Sequence, residues 1–189
     1  MRKGFLFVVS GPSGVGKTSV VDEILKIDDS LSKIITCTTR PMRSNEIPGI
    51  DYIFISREDF MNHIKNDDFV EFSEVYGNYY GILASSIFEK INAGCDIILI
   101  INWQGFLKIQ KIFFHNVFGF FITPPSMEVL EQRIRSRKMD SEEVIINRLA
   151  MAEKDLSYRF CFQYIYQNDD MVETASDMLA TINQIRGIN

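Results

Sequence analysis

Along the 189 residues, unbroken apolar runs of strand length alternate with stretches whose apolar positions recur every three or four residues. The first run is Phe5-Leu6-Phe7-Val8-Val9. Val20, Val21, Ile24 and Leu25 follow at i, i+1, i+4 and i+5, one face of a helix. Ile34-Ile35 is a short strand candidate, and Tyr52 to Ile55 reads as a strand. Ser56, with Asp59 three positions on, predicts an N-cap for a helix from Arg57 to about Asn66, with Phe60, Ile64 and Met61 on its apolar side. Phe69 to Tyr76 alternates imperfectly, as a strand, and runs into Gly77-Asn78-Tyr79-Tyr80-Gly81, read as a turn. Ala84 to Asn92 is helical, with Ile87 and Ile91 at i, i+4 and Gly94 near its C-cap. Ile97 to Ile101 is a continuous apolar run, the pattern of a strand covered on both faces.

Trp103 to Lys111 is predicted helical and Val117 to Ile122 a second buried strand. Pro124-Pro125-Ser126 breaks the chain before a helix carrying Met127, Leu130 and Ile134. Asp140 and Glu143 form an expected capping pair for a helix striped by Ile145, Leu149, Ala152 and Leu156. Gln163 to Tyr166 is a last strand and Met171 to Ile185 a last helix. Alternating strands and helices with buried strands predict a three-layer α/β architecture around a parallel central sheet. The aromatic, irregular stretch 36–86 reads as an inserted subdomain closing over a ligand at the C-terminal ends of the strands. The division expected is a single domain, 1–189, with a core of 1–35, 87–125 and 157–189 and a small helical lid at 126–156.

Composition narrows the partners. Apolar residues make 46% and charged residues 24% of the chain, enough to bury a proper core. The net charge of −5 and the absence of a basic stripe disfavour nucleic acid as a partner. Cys37, Cys95 and Cys161 are far apart and odd in number, forming neither a disulfide framework nor a metal pattern, which suits a reducing cytoplasm. Met1-Arg2-Lys3 precedes an apolar run too short for a signal peptide, and Ile97 to Ile101 falls far short of a membrane span. A cytoplasmic protein with no membrane partner is expected; monomer and homodimer stay open.

Chemistry concentrates first in Gly11-Pro12-Ser13-Gly14-Val15-Gly16-Lys17-Thr18, which fits G-x-x-x-x-G-K-[ST] at every fixed position. It stands between the first strand and the first helix, so its amides converge on an anion at a helix N-terminus. Lys17 then reaches the β- and γ-phosphates of a nucleoside triphosphate such as ATP, and the Thr18 hydroxyl ligates Mg²⁺. Arg40 and Arg43, flanking Pro41-Met42 in a polar loop, can jointly grip a phosphate, or stand as solvated surface. Tyr80 can donate to the same phosphate, or pack as rim. Arg133 and Arg137 lie at i, i+4 with no acid at i±4, a repulsion of roughly 0.2–0.5 kcal/mol that an external anion would relieve. Arg135 has Glu131 at i−4, and Arg148 lies off the apolar stripe of its helix, free to face the same anion. The alternative is a solvated basic face. His63 and His115 are isolated, and no catalytic base stands out. A phosphate acceptor needs none, since a phosphomonoester is largely dianionic near neutral pH, so the pattern favours a nucleoside monophosphate kinase working by positioning and charge neutralisation.

The sequence resembles guanylate kinases nearly end to end. The resemblance is carried by GPSGVGKT (11–18), T-x-T-T-R-x-x-R (36–43), Gly49 to Tyr52, Phe69-Val70-Glu71, GNYYG (77–81), Trp103-Gln104-Gly105, Pro124-Pro125-Ser126 and Asn168-Asp169-Asp170. It implies a P-loop NTPase fold with a GMP-binding subdomain and the reaction of ATP with GMP, and equally dGMP, to ADP and GDP in purine nucleotide metabolism. It implies that Arg40, Arg43, Tyr52 and Tyr80 hold the GMP phosphate, and that Glu71 accepts from guanine N1–H and the 2-amino group. Thr36 stands where the family supplies a hydroxyl to O6. Arg137 and Arg148 resemble the lid arginines, while Arg133 and Asn168 are similar to residues near the ATP base.

Three positions depart from the family pattern L-D-I-D-x-Q-G and the hydroxyls after GNYYG: Ile100, Asn102 and Ile82-Leu83. Asn102 keeps one carbonyl acceptor for guanine, whereas Ile100 keeps no polar atom, leaving Thr18 as the one clear protein ligand for Mg²⁺. A working but weakened kinase is the expectation. A non-enzymatic guanylate-kinase-like GMP-binding or interaction module is the alternative, against which Lys17, Thr18 and the lid arginines argue. A P-loop kinase for another monophosphate is disfavoured by Glu71 and the TTR-x-x-R segment.

Overall fold

A computed structural model describes residues 2–44, 46–75, 77–113, 115–136 and 141–187. Its centre is a five-stranded sheet ordered β2-β7-β1-β8-β9, parallel throughout. The strands are β1 (Leu6–Ser10), β2 (Ser32–Lys33), β7 (Ile97–Ile100), β8 (Val117–Thr123) and β9 (Tyr164–Gln167). β1 lies in the middle, paired with β7 through Leu6 to Val9 and with β8 through Leu6 to Ser10. Its five residues are buried on both faces, which is why they read as an apolar run rather than an alternation.

One face carries α1 (Lys17–Ile27), α5 (Met127–Ser136), α6 (Glu142–Ser157) and α7 (Met171–Arg186) over Phe7, Val9, Phe120 and Ile122. The expected stripe of α6 is the side that packs there, through Ile145, Leu149 and Ala152. The other face carries α3 (Ala84–Asn92) and α4 (Trp103–Phe113) over Leu6, Val8, Ile97 and Phe121, and Leu156 at the end of α6 joins it. These two cores on a parallel sheet are the three layers expected.

The second sheet, ordered β4-β3-β6-β5, belongs to the inserted segment. It comprises β3 (Cys37–Thr38), β4 (Ile53–Phe54), β5 (Phe69–Val75) and β6 (Asn78–Leu83), packed on α2 (Arg57–Lys65) through Cys37, Phe60 and Phe69. The Ser56 cap is as expected: its hydroxyl accepts from the Asp59 amide.

Four local readings change. Ile34-Ile35 falls just after β2, because the chain pairs with β7 through Ser32 and Lys33. The segment read as a turn at 77–81 is mostly strand: Asn78 to Gly81 pair with β5, and Gly77, at φ 76°, bears the reversal. Cys37-Thr38, read as loop, is a short strand paired with both β4 and β6. Asp140 of the expected capping pair lies outside the described residues, and the cap of α6 is Ser141, whose hydroxyl accepts from the Val144 amide. No helix of the described residues is long and apolar enough to cross a membrane.

Candidate functional site

Every strand of the parallel sheet delivers its C-terminal end to one edge. β1 ends at Ser10 and leads into Gly11 to Gly16; β7 leads to Asn102; β9 leads to Asn168; β2 leads to Thr36. A doubly wound sheet opens its crevice there, where connections from the central strand part to opposite sides.

Gly16 caps α1 at φ 104°, with no side-chain cap and no acidic residue in the first turn. The helix therefore presents the positive end of its dipole to the hollow in front of the loop. That hollow, about 180 Å³, is lined by Ser13, Gly14, Gly16, Lys17, Thr18 and Ser19. Only glycine fits at position 16: its φ is left-handed, and a Cβ would lie 2.5 Å from the Asn168 amide nitrogen. Lys17 Nζ donates to the carbonyls of Gly11 at 2.7 Å and Pro12 at 2.8 Å, closing the loop around its own charge.

Arg133 and Asn168 brace the loop from behind. Arg133 donates to the carbonyls of Val15 at 3.3 Å and Asn168 at 2.9 Å. Asn168 is buried, donates to Val15 O at 2.7 Å and accepts from Thr174 Oγ1 at 3.2 Å. Both line a hollow of about 370 Å³ that also touches Gly14, Ser19 and Asp170. Backbone carbonyls, then, compensate the Arg133 charge, a solution that spacing along a helix does not reveal. Arg135 pairs with Glu131 at 2.7 Å, as its spacing predicts, and grips Glu142 with both terminal nitrogens at 2.6 Å. Arg137 lies outside the described residues. Arg148 is half-buried on α6.

The inserted sheet brings Arg40, Tyr52 and Tyr80 together. The Arg40 guanidinium lies 5.4 Å from the Tyr52 ring centre, and the Tyr52 and Tyr80 rings meet edge-on at 6.1 Å. Arg40 hydrogen-bonds Tyr80 and Glu46, which raises its pKa, the bond to Glu46 contributing most. The other Glu46 oxygen accepts from the Arg43 amide at 2.7 Å. Glu46 thus gives Arg40 and the Arg43 backbone a carboxylate to hold, a residue whose role the sequence pattern did not suggest. The Arg43 side chain is exposed.

Glu71 and Asn102 make the third corner. Asn102 Nδ2 donates to Glu71 Oε1 at 3.0 Å, and its backbone N–H to Oε2 at 3.3 Å. Its carbonyl accepts from the Gly105 amide at 2.8 Å, capping the start of α4. Gly105 leaves room for Glu71: a Cβ there would lie 2.8 Å from Oε2. Burial pushes the Glu71 pKa above the usual glutamate value, opposed by the Asn102 N–H and the Lys17 charge. Glu71 and Asn102 line a hollow of about 280 Å³ with Gln104 and Lys108, and a separate cavity of about 400 Å³ is walled by Thr18, Thr36, Tyr52, Ile82, Leu99 and Ile100 among others. Two of the departures from the family pattern, Ile82 and Ile100, therefore face the same space as Thr18.

Residues 3–185 match the sequence profile of the guanylate kinase family. The chain is 42% identical over 182 residues to a guanylate kinase of Carboxydothermus hydrogenoformans, covering 96% of this chain and 89% of that protein. It is 40% identical to a guanylate kinase of Rickettsia felis, covering 92% and 90%. The crystal structure of guanylate kinase from Anaplasma phagocytophilum superposes with a TM-score of 0.73 at 30% identity, covering 97% of this chain and 87% of that one. A gluconokinase from Sinorhizobium meliloti, at 14% identity and a TM-score of 0.54, shares the fold.

Proposed function

The chain belongs to the guanylate kinase family, and on that premise we propose how its residues transfer the γ-phosphoryl group of ATP to GMP. The observation that carries the assignment of roles is the Glu71–Asn102 corner opposite the loop of residues 11–18. A half-buried carboxylate that accepts two hydrogen bonds side by side, here from Asn102, suits guanine, which offers N1–H and a 2-amino group side by side; adenine offers no such pair. Thr36, on the neighbouring cavity with Thr18 and Tyr52, would supply the hydroxyl for O6.

Arg40, Arg43, Tyr52 and Tyr80 hold the acceptor phosphate, which displaces the Glu46 carboxylate from Arg40. The amides of residues 11–18 and the Lys17 ammonium hold the β- and γ-phosphates, and Arg133 and Asn168 shape the wall beside the ATP base. One acceptor phosphate oxygen forms a bond to Pγ as the bond from Pγ to the β,γ-bridging oxygen breaks, and ADP carries away the electron pair. No proton has to move, so no general base is required. Arg137 and Arg148 join Lys17 in neutralising charge as the phosphoryl group passes.

The donor set suits Mg²⁺ that arrives with ATP. Thr18 is exposed at the rim of the loop hollow, and among the described residues no three His, Cys, Asp or Glu side chains stand together. Mg²⁺ keeps several waters and takes few protein ligands when phosphates are present. When bound, it would offset the charge of the β- and γ-phosphates, with the Thr18 hydroxyl orienting it.

In this reading residues 36–86 form the acceptor subdomain and 126–156 the lid, and Ile100 and Asn102 weaken catalysis without abolishing it. A coupled ADP-release assay with GMP, dGMP, AMP, CMP and UMP tests the assignment. Turnover with GMP and dGMP alone is expected. Absence of turnover with every acceptor would leave a GMP-binding module, and turnover with a pyrimidine monophosphate would overturn the role of Glu71.

A further inference from the structure

The chain has one tryptophan, Trp103, and it joins two parts of the site that the reaction does not by itself connect. Trp103 opens α4 directly after Asn102, the residue that holds Glu71. Its indole lies flat on the Tyr158 ring, with centroids 3.5 Å apart and planes 7° apart. Tyr158 is the C-cap of α6. Asp155, in the last turn of the same helix, has its carboxyl pKa pushed up by burial and eased down by Lys17 and the indole. Leu156 packs with Trp103 and Leu107 on the second core.

Asp155 follows Arg148 by seven positions, about two turns of an α-helix, so the two share a face. The Lys17 charge acts on the Asp155 carboxylate, against the larger upward push of burial. The apolar stripe of α6 decides which side of the helix meets the core. The stack sets the end of α6 against the start of α4. At the other end α6 is tied by Arg135 to Glu142, whose side chains are 41% and 63% exposed, and exposed pairs hold a helix weakly.

We propose that Trp103 is a positioning residue that couples the guanine-reading corner to α6. Resting on the GMP kinase reading, the step is mechanical. Guanine donors take Glu71 from the Asn102 amide. The start of α4, capped by Asn102, adjusts. The Tyr158 stack carries that adjustment along α6 to Arg148. The coupling is a free energy between two binding events, and it is reciprocal.

The single tryptophan makes the proposal directly measurable. In the wild-type protein, GMP alone should shift Trp103 emission with a midpoint matching GMP binding by calorimetry. GMP should also tighten binding of a non-hydrolysable ATP analogue. In Tyr158→Ala, GMP affinity should stay within a small factor of wild type, the analogue should no longer sense GMP, and kcat should fall about tenfold, within the usual span of such couplings. Trp103→Phe, which keeps an aromatic stack but loses the N–H, should lose part of both and serves if Tyr158→Ala does not fold. A folded variant with wild-type kcat and undiminished coupling would overturn the proposal while leaving GMP turnover untouched. A wild-type protein that turns over no GMP would overturn the functional reading and this proposal together.

Discussion

Asn102 shows how one atom changes the chemistry of a corner. An aspartate there would put two carboxylates side by side, whereas the amide donates to Glu71 and spends its carbonyl on the α4 cap. The carbonyl that the residue type seemed to leave for guanine is therefore already engaged. Ile100, half-buried on the Thr18 cavity, supplies only apolar surface. The double variant Ile100→Asp/Asn102→Asp should raise kcat/KM for GMP by one to two decades, since a hydrogen bond to a charged group contributes about 1.5–3 kcal/mol. Steady-state kinetics check this, and unchanged values would dissociate these positions from the rate. The α4 cap should survive at position 102, because Asp and Asn cap helices about equally well.

Glu71 also sets a pH dependence. Burial raises its pKa in the free protein, and in the proposed role guanine binds the ionised form. Affinity for GMP should be full at pH values above that raised pKa and fall as pH drops through it, so the loss begins at higher pH than for an ordinary glutamate. Calorimetric titration of GMP across the acid limb should show KD rising there for wild type, while Glu71→Gln should bind weakly at every pH with a flat profile.

At the scale of elements, the phosphate loop and the helix behind it work as one unit because Val15 O is bonded by both Arg133 and Asn168. Gly16→Ala would force a left-handed φ on alanine and press its Cβ against Asn168. The conformational cost alone is about 1–2 kcal/mol, and the displaced Asn168 adds the loss of a buried hydrogen bond. ATP-analogue affinity should drop at least tenfold while GMP affinity, held by a different sheet, changes little. Separate calorimetric titrations of the two ligands would test that independence.

Across the whole molecule, the C-terminal helix is stapled to the far edge of the sheet. The Arg186 guanidinium, 2% exposed, reaches Asp96 at 2.8 Å and also pairs with Asp28 after α1. Asp96 accepts from the Phe5 amide at 2.8 Å as well. Arg186→Ala takes one of two cations from the buried Asp96, which Arg2 also holds at 3.0 Å, so the loss should fall toward the low end of the about 3–5 kcal/mol that breaking a buried pair typically costs. Urea unfolding should show a loss of that size. Because the staple is remote from the strand ends that form the site, KM values should hold where the variant is folded.

Much of this was legible in the chain itself, for identifiable reasons. The alternation of unbroken apolar runs with helical stripes reported the buried parallel sheet, because strands covered on both faces admit no polar alternation. The loop at residues 11–18 was legible because its fixed residues each meet a local demand: no Cβ at Gly16, a charge at Lys17, a hydroxyl at Thr18. Cys37-Thr38 and Asn78 to Gly81 were misread because their conformation comes from pairing across the inserted sheet, which local preference does not encode. The partners of charge were likewise settled only in three dimensions. The carbonyls of Val15 and Asn168 answer Arg133, Glu46 answers Arg40, and the Asn102 amide answers Glu71. Trp103 read as part of a motif and a helix start; its stack on Tyr158, 55 positions away in the chain, exists only because α4 and α6 converge at the strand ends. Sequence alone determined the elements and the chemical types at the site, since those follow from local periodicity and residue chemistry. Tertiary structure decided which groups meet, because contacts between distant segments depend on the packing of the whole sheet.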